Sequence, residues 1–237
     1  MSIKVVHCCE DSLAADCSKH LTLRIVEERS GSNPSLAFVD LGGETGWSNR
    51  TGVAEAMPTT GRFRRIHPRG LKGDAALAYK CVRAATGQGS ALLIAFDSAT
   101  PDSPLRQGVE AARNTVAQSI PTVVAEATPE FDAWVLMGHE PGQAHEVDAL
   151  AEVVAALRFD PRERPHALNG TTGNERDAKR VCQRLLGLET QANATAHPRV
   201  IDALNAPLQV LLRRGRETGF PEFVGDVEEH LLPLLVP

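Results

Sequence analysis

Ala91-Leu92-Leu93-Ile94-Ala95-Phe96, closed by Asp97, is an uninterrupted apolar run that ends on a carboxylate. A run of that length and aliphatic content reads as a strand buried on both faces, which is the condition inside a parallel sheet covered by crossover helices. Ile3-Lys4-Val5-Val6-His7-Cys8-Cys9 reads the same way and ends on Glu10. Each run is followed by a helical pattern, so both acids are expected at the carboxyl ends of parallel strands, where open α/β sheets bind ligands. Two carboxylates brought together there repel unless a cation or a shared proton relieves them. A hard divalent ion such as Mg²⁺, or Mn²⁺ in its place, is the natural partner.

Outward from those strands, the first half alternates strand and helix. Asp11 or Ser12 can cap a helix whose apolar stripe runs Leu13, Cys17, Leu21, Ile25. Residues 30–61 are rich in Gly, Ser, Asn, Pro and Thr and enclose one short strand pattern, Leu36–Val39; they are expected to form a long loop or inserted hairpin, a functional flap. Arg62–His67 reads as a further strand and Asp74–Ala85 as a helix. Ser103-Pro104 and Thr128-Pro129 each read as a helix opening, with Pro at the first helical position. Pro121–Ala125 lies between them as a short strand. From about Glu146 only helical spacings remain: Val147–Leu157, Asn174–Leu188, Pro198–Arg213 and Pro221–Leu235. The order βαβα predicts an α/β fold, a parallel sheet flanked by helices over residues 1–140, with an α-helical C-terminal subdomain over 141–237.

Composition narrows the function classes. No apolar run approaches the ~20 residues of a membrane span, so no membrane partner is expected. The N-terminus lacks a basic stretch followed by a long apolar one, and the five cysteines (Cys8, Cys9, Cys17, Cys81, Cys182) follow no metal or disulfide spacing. They read as reduced, buried thiols of a cytoplasmic protein. The net charge of −5 argues against a general nucleic-acid coat. Between Arg62 and Arg83, however, seven basic side chains face one acid, Asp74. Arg64, Arg65, Arg69 and Lys72 in that stretch either hold a DNA or RNA backbone or form a solvated face.

The segments Cys9-Glu10-Asp11, Leu93–Asp97 and Val124-Ala125-Glu126-Ala127-Thr128-Pro129-Glu130-Phe131-Asp132-Ala133-Trp134 carry a resemblance. In order and spacing the chain resembles Toprim-like bacterial proteins of unknown function, distant relatives of the overcoming-lysogenization-defect nucleases. The likeness covers most of residues 1–137. It implies a Toprim-like sheet and a Mg²⁺ site for phosphodiester chemistry, with Glu10 as general base or ligand and Asp97 as ligand. One position departs from the pattern: Asp-x-Asp is expected after the third strand, and Asp97-Ser98-Ala99 stands there. Ala99 removes one oxygen donor, which leaves a second expectation beside the nuclease-like hydrolase: a degraded module that binds a protein partner.

Other acids could complete the cluster. Asp102 either supplies a ligand or favours the adjacent helix start; Glu130 and Asp132 are either ligands or first-turn charges at a helix N-terminus. Lys179 either neutralises a transition-state phosphate or pairs with Glu175 at i,i+4. Asn169-Gly170-Thr171-Thr172-Gly173-Asn174 precedes a helix and could meet an anion, but lacks the nucleotide-binding P-loop spacing. Trp134 reads as a core anchor between sheet and helices.

Overall fold

The computed structural model describes residues 2–31, 35–41, 70–99, 103–188 and 198–235. Four parallel strands form one sheet in the order β2-β1-β3-β4. They are β1 (Ile3–Cys9), β2 (Leu36–Asp40), β3 (Ala91–Asp97) and β4 (Thr122–Ala127). The chain moves from β1 outward to β2, then returns to the other side of β1 as β3. The crevice between β1 and β3 is therefore the switch point of the sheet, the place where open α/β sheets bind ligands.

Helices cover both faces. The side chains of Val5, Cys9, Leu93 and Ala95 pack with α1 (Ser12–Ser30), whereas Val6, Cys8, Leu92, Ile94 and Phe96 pack with α2 (Gly73–Ala85) and α3 (Pro104–Arg113). This division follows the period-two alternation of strand side chains. Helix α1 begins where expected: Asp11 is extended and its carboxylate accepts the Ala14 N–H at 2.9 Å. It stops at Gly31, whose φ of +65° favours glycine. Ser103 caps α3 ahead of Pro104, also as read from the sequence.

Leu36–Val39 is not a loop element. It extends to Asp40 and pairs in parallel with β1, Val5 opposite Phe38, as the edge strand. Leu36 and Phe38 pack inward while Ala37 and Val39 are exposed, which is why so short a strand holds its place. The helix after β4, α4 (Phe131–Gly138), opens two residues beyond the Thr128-Pro129 pair; that peptide is cis, and the extended Glu130 is the N-cap.

The remaining helices add to the α1 side: α5 (Ala144–Leu157), α6 (Ala178–Leu186), α7 (Pro198–Leu204), α8 (Leu208–Arg214), α9 (Phe220–Asp226), a wide turn at Val227–Leu231 and α10 (Leu232–Leu235). The single helix expected over Pro198–Arg213 is two, because Pro207 cannot donate an amide and would clash within a helix. Trp134 is the anchor. It is fully buried, meets Phe131 and Phe220 edge-on at 4.8 and 5.2 Å, and donates its indole N–H to the Thr218 carbonyl at 2.9 Å. No helix among the described residues is long and apolar enough to cross a membrane.

Candidate functional site at the carboxyl edge of the sheet

Glu10 and Asp97 meet across the switch point. The β1–β3 ladder continues one residue past β1, with the Glu10 N–H donating to Ala95 O at 2.9 Å, so Glu10 is held level with the end of β3. Its Oε2 accepts the Asp97 N–H at 3.0 Å. Asp97 in turn accepts the Phe131 N–H on Oδ1 at 2.9 Å, capping α4 from a different element. Asp97 thus serves in part as a helix cap, and the capped helix follows β4 and not β3.

Burial raises the pKa of Glu10, which also feels Asp11 and Asp74. Asp97 is pushed well above the usual carboxylate range, first by burial and then by Glu10 and Asp11, with Glu130 adding to them. Glu130 is pushed up to about 7 by burial, Asp132 and Asp177. Asp132 is pushed up to about 6 by burial and Asp11, against the pull of Lys179 and of a hydrogen bond from the Cys182 thiol. Glu10, Asp97, Glu130 and Asp132, each raised in part by Asp11, therefore share one field, with Lys179 acting on two of them.

Lys179 lies exposed in the first turn of α6. The expected pairing with Glu175 loses its basis, because α6 begins at Ala178 and Glu175 precedes the helix. A lysine at a helix N-terminus is disfavoured by the helix dipole, so the nearby carboxylates give this position its sense. The loop before α6 is closely organised: Asp177 caps the helix by accepting from Arg180 N and also holds Gly173 N at 2.9 Å. Gly170 of that loop sits against Glu130, where a Cβ would come within 2.6 Å of Oε1. The sequence reading missed Gly170 and Asp177 as neighbours of Glu130; an Asp directly ahead of Ala178-Lys179-Arg180 is the cap signal that would have moved the helix start.

Lys72 is exposed at the N-cap position of α2, whose first-turn Asp74 acts on Glu10, so this end of the basic stretch borders the site. Arg64, Arg65 and Arg69, and the candidate ligand Asp102, lie outside the described residues.

The donor set suits a hard cation in part. Among the described residues no three His, Cys, Asp or Glu side chains are placed to hold an ion together. Mg²⁺ at phosphate-handling sites, however, usually keeps several waters and takes only one or two protein carboxylates. Glu10 and Asp97 are such a pair, and Glu130 Oε2 is buried with no hydrogen-bond partner. Compared with known proteins, the chain matches no family, no curated protein and no solved structure.

Proposed function

We propose that the carboxyl edge of the sheet is a nuclease-like, divalent-cation-dependent phosphodiester hydrolase site. The observation carrying this reading is the joining of Glu10 and Asp97 across the switch point, inside a field of acids that few cations compensate. Glu10 and Asp97 would hold Mg²⁺ or Mn²⁺, with Glu130 and Asp132 completing the negative field. When bound, the ion would polarise a phosphoryl oxygen and favour a hydroxide-like nucleophile. With Asp97 as the ligand, the raised proton affinity of Glu10 would suit it instead to the role of a base that takes a proton from water. Lys179 would offset charge on the phosphate, and Lys72 would hold a flanking part of a DNA or RNA backbone. The Toprim-like resemblance supports the same assignment, and five free, buried cysteines agree with a reducing, cytoplasmic setting.

A second reading has its own support. Asp97 Oδ1 is occupied by the Phe131 amide, and Ala99 stands where a further carboxylate is expected. A degraded site of this kind would serve as an interaction or regulatory module for a protein partner. Calorimetric titration of Mn²⁺ into wild type, Glu10→Gln and Asp97→Asn separates the two. Both substitutions keep a carbonyl oxygen to accept the native backbone bond, so they test charge and not folding. Micromolar binding abolished by either variant, followed by Mn²⁺-dependent cleavage of single- or double-stranded nucleic acid, supports the hydrolase. Absence of binding, or equal binding by all three proteins, overturns it in favour of the module.

A further inference from the structure

The segment between α5 and α6 gathers positive charge that the protein leaves unbalanced. Elsewhere arginines are matched: Arg24, Arg29, Arg106, Arg184 and Arg213 each meet a carboxylate. Arg158, Arg164, Arg176, Lys179 and Arg180 are all exposed and form no ion pair among the described residues. The acids of the same segment are mostly engaged. Asp160 is held by Arg162 at 2.9 Å, Glu163 by Arg213 at 2.7 Å and Arg214 at 2.6 Å, and Asp177 caps α6. Glu175 is the one exposed acid there without an ion pair, so the surplus is positive on a chain of net charge −5.

Two of these cations are braced on one ring. The guanidinium carbons of Arg164 and Arg176 lie 5.4 and 5.7 Å from the centre of the buried Phe159 ring, where a ring face attracts a cation. Phe159 thus gathers two like charges, each with five N–H donors that meet no acceptor among the described residues. Such charges repel unless an anion relieves them. Arg158, the C-cap of α5, has φ +66°, a conformation that favours glycine and that no other non-glycine among the described residues takes.

The patch adjoins the acid cluster. The Asn169 N–H donates to Arg176 O at 2.8 Å, and the next residue, Gly170, sits against Glu130. We propose that Arg164 and Arg176, braced on Phe159, clamp the phosphodiester backbone of a single nucleic-acid strand and lead it past Lys179 to the acid cluster. A guanidinium meets a phosphate through two parallel N–H bonds, a match that a lysine does not offer. The clamp rests on the hydrolase reading, to which it gives a substrate class.

Fluorescence anisotropy of an end-labelled single-stranded DNA of about 12 nucleotides, with EDTA present, measures the clamp apart from any metal. Arg176→Gln should weaken binding about tenfold, and Arg164→Gln together with Arg176→Gln about a hundredfold, one charge-assisted contact for each. The double variant should also flatten the dependence of log K on log salt by about 1.4, about 0.7 for each lost phosphate of a single strand. Arg176→Lys should restore the slope but not the affinity. Arg29→Gln, at the far end of α1, should change neither. Both clamp arginines are exposed, so an unchanged urea midpoint checks that the fold is kept. No binding by wild type at about 100 μM protein and about 50 mM salt, equal binding by the double variant, or equally strong competition by polyglutamate overturns the clamp. Mn²⁺-dependent cleavage that the double variant leaves intact would remove the clamp and keep the hydrolase. Arginine-dependent binding without any Mn²⁺ site would do the reverse.

Discussion

Asp40 and Asp132 are carboxylates on the same α1 side of one sheet, and their surroundings push them in opposite directions. Asp40, at the end of β2, accepts from His7 Nδ1 at 2.8 Å and from Lys19 at 2.6 Å, and its pKa falls to about 2. Its partner His7 is fully buried and meets Ser18 Oγ through Nε2 at 3.0 Å. Asp132, at the start of α4, has other acids nearby and one lysine at a distance, and rises to about 6. The first carboxylate is a finished structural joint that ties β1, β2 and α1 together. The second belongs to a cluster whose charges the protein alone does not balance. What the difference teaches is where to look for an external cation: in this cluster the acids that hold their protons have hydrogen bonds but no close cationic partner among the described residues.

The largest expected effect is on the pH dependence of stability. Asp132 holds its proton to about pH 6 in the folded state, against 3.8 for the ordinary group, so between those values the folded form binds more protons than the unfolded one. Stability from this group is full below pH 3.8 and is lost as pH rises through about 6, amounting to about 3 kcal/mol at 1.36 kcal/mol per pH step. Glu130 extends the same decline to about pH 7. Asp40 has the opposite sign: its contribution is present above 3.8 and disappears as pH falls through about 2. Urea unfolding across pH 2–8 should therefore show a maximum near pH 4 and a fall on either side, a position set by these opposed shifts. A curve flat from pH 5 to 8 would remove the distinction between the two regions.

Breaking the compensated region comes next. Asp40→Ala leaves the buried His7 and the half-buried Lys19 without their acceptor, and should cost about 2–3 kcal/mol at pH 7, just below the range of about 3–5 kcal/mol for a broken buried pair because Asp40 is partly exposed. The midpoint of urea unfolding reads it. An Asp40→Ala protein as stable as wild type would mean that the joint adds nothing, and that compensation is not what separates it from the site.

Much of this architecture was legible because the signals were local. Two buried strands ending on Glu10 and Asp97, the Asp11 cap and the Ser103-Pro104 opening depend on residues within one or two turns of each other, and the structure has them where the sequence placed them. What escaped reading was set by distant parts of the chain. Nothing near Asp97 says that its carboxylate will cap a helix starting at Phe131, and nothing near His7 says that Asp40 will join it. The strand pattern at Leu36–Val39 was visible, but not its place as the sheet edge beside β1, because two inward side chains among Gly- and Ser-rich neighbours do not tell a hairpin from a sheet strand. The convergence of Glu130, Asp132 and Lys179 likewise depends on α6 folding back toward the strand ends, which periodicity does not encode.

A divalent cation should act on the uncompensated region alone. If Mn²⁺ binds there, at about 100 times its Kd it stabilises the folded chain by about 2.7 kcal/mol, enough for a shift of several degrees in Tm. The shift should be larger at pH 7.5 than at pH 5, where Glu130 and Asp132, with values raised to about 7 and about 6, hold their protons and the negative field is weaker, and Asp97→Asn should abolish it. An equal shift at both pH values would place the ion elsewhere on the protein.

The smallest expected effect is also the most discriminating. Glu130→Gln removes one charge from the crowded cluster while keeping the shape of the side chain against Gly170. In most buried settings the loss of a carboxylate destabilises, because a partner is left behind. Here Glu130 Oε2 has no hydrogen-bond partner, and the charges acting on it are mainly negative. The variant should therefore gain about 0.5–1 kcal/mol at pH 8, where wild-type Glu130 is ionised, and nothing at pH 5, where it is already protonated. The gain should vanish at pH 8 when Mn²⁺ is present, since the ion then relieves the same repulsion. A loss of stability at pH 8 would mean that Glu130 has a cationic partner of its own, and would move it from the unbalanced region into the balanced one.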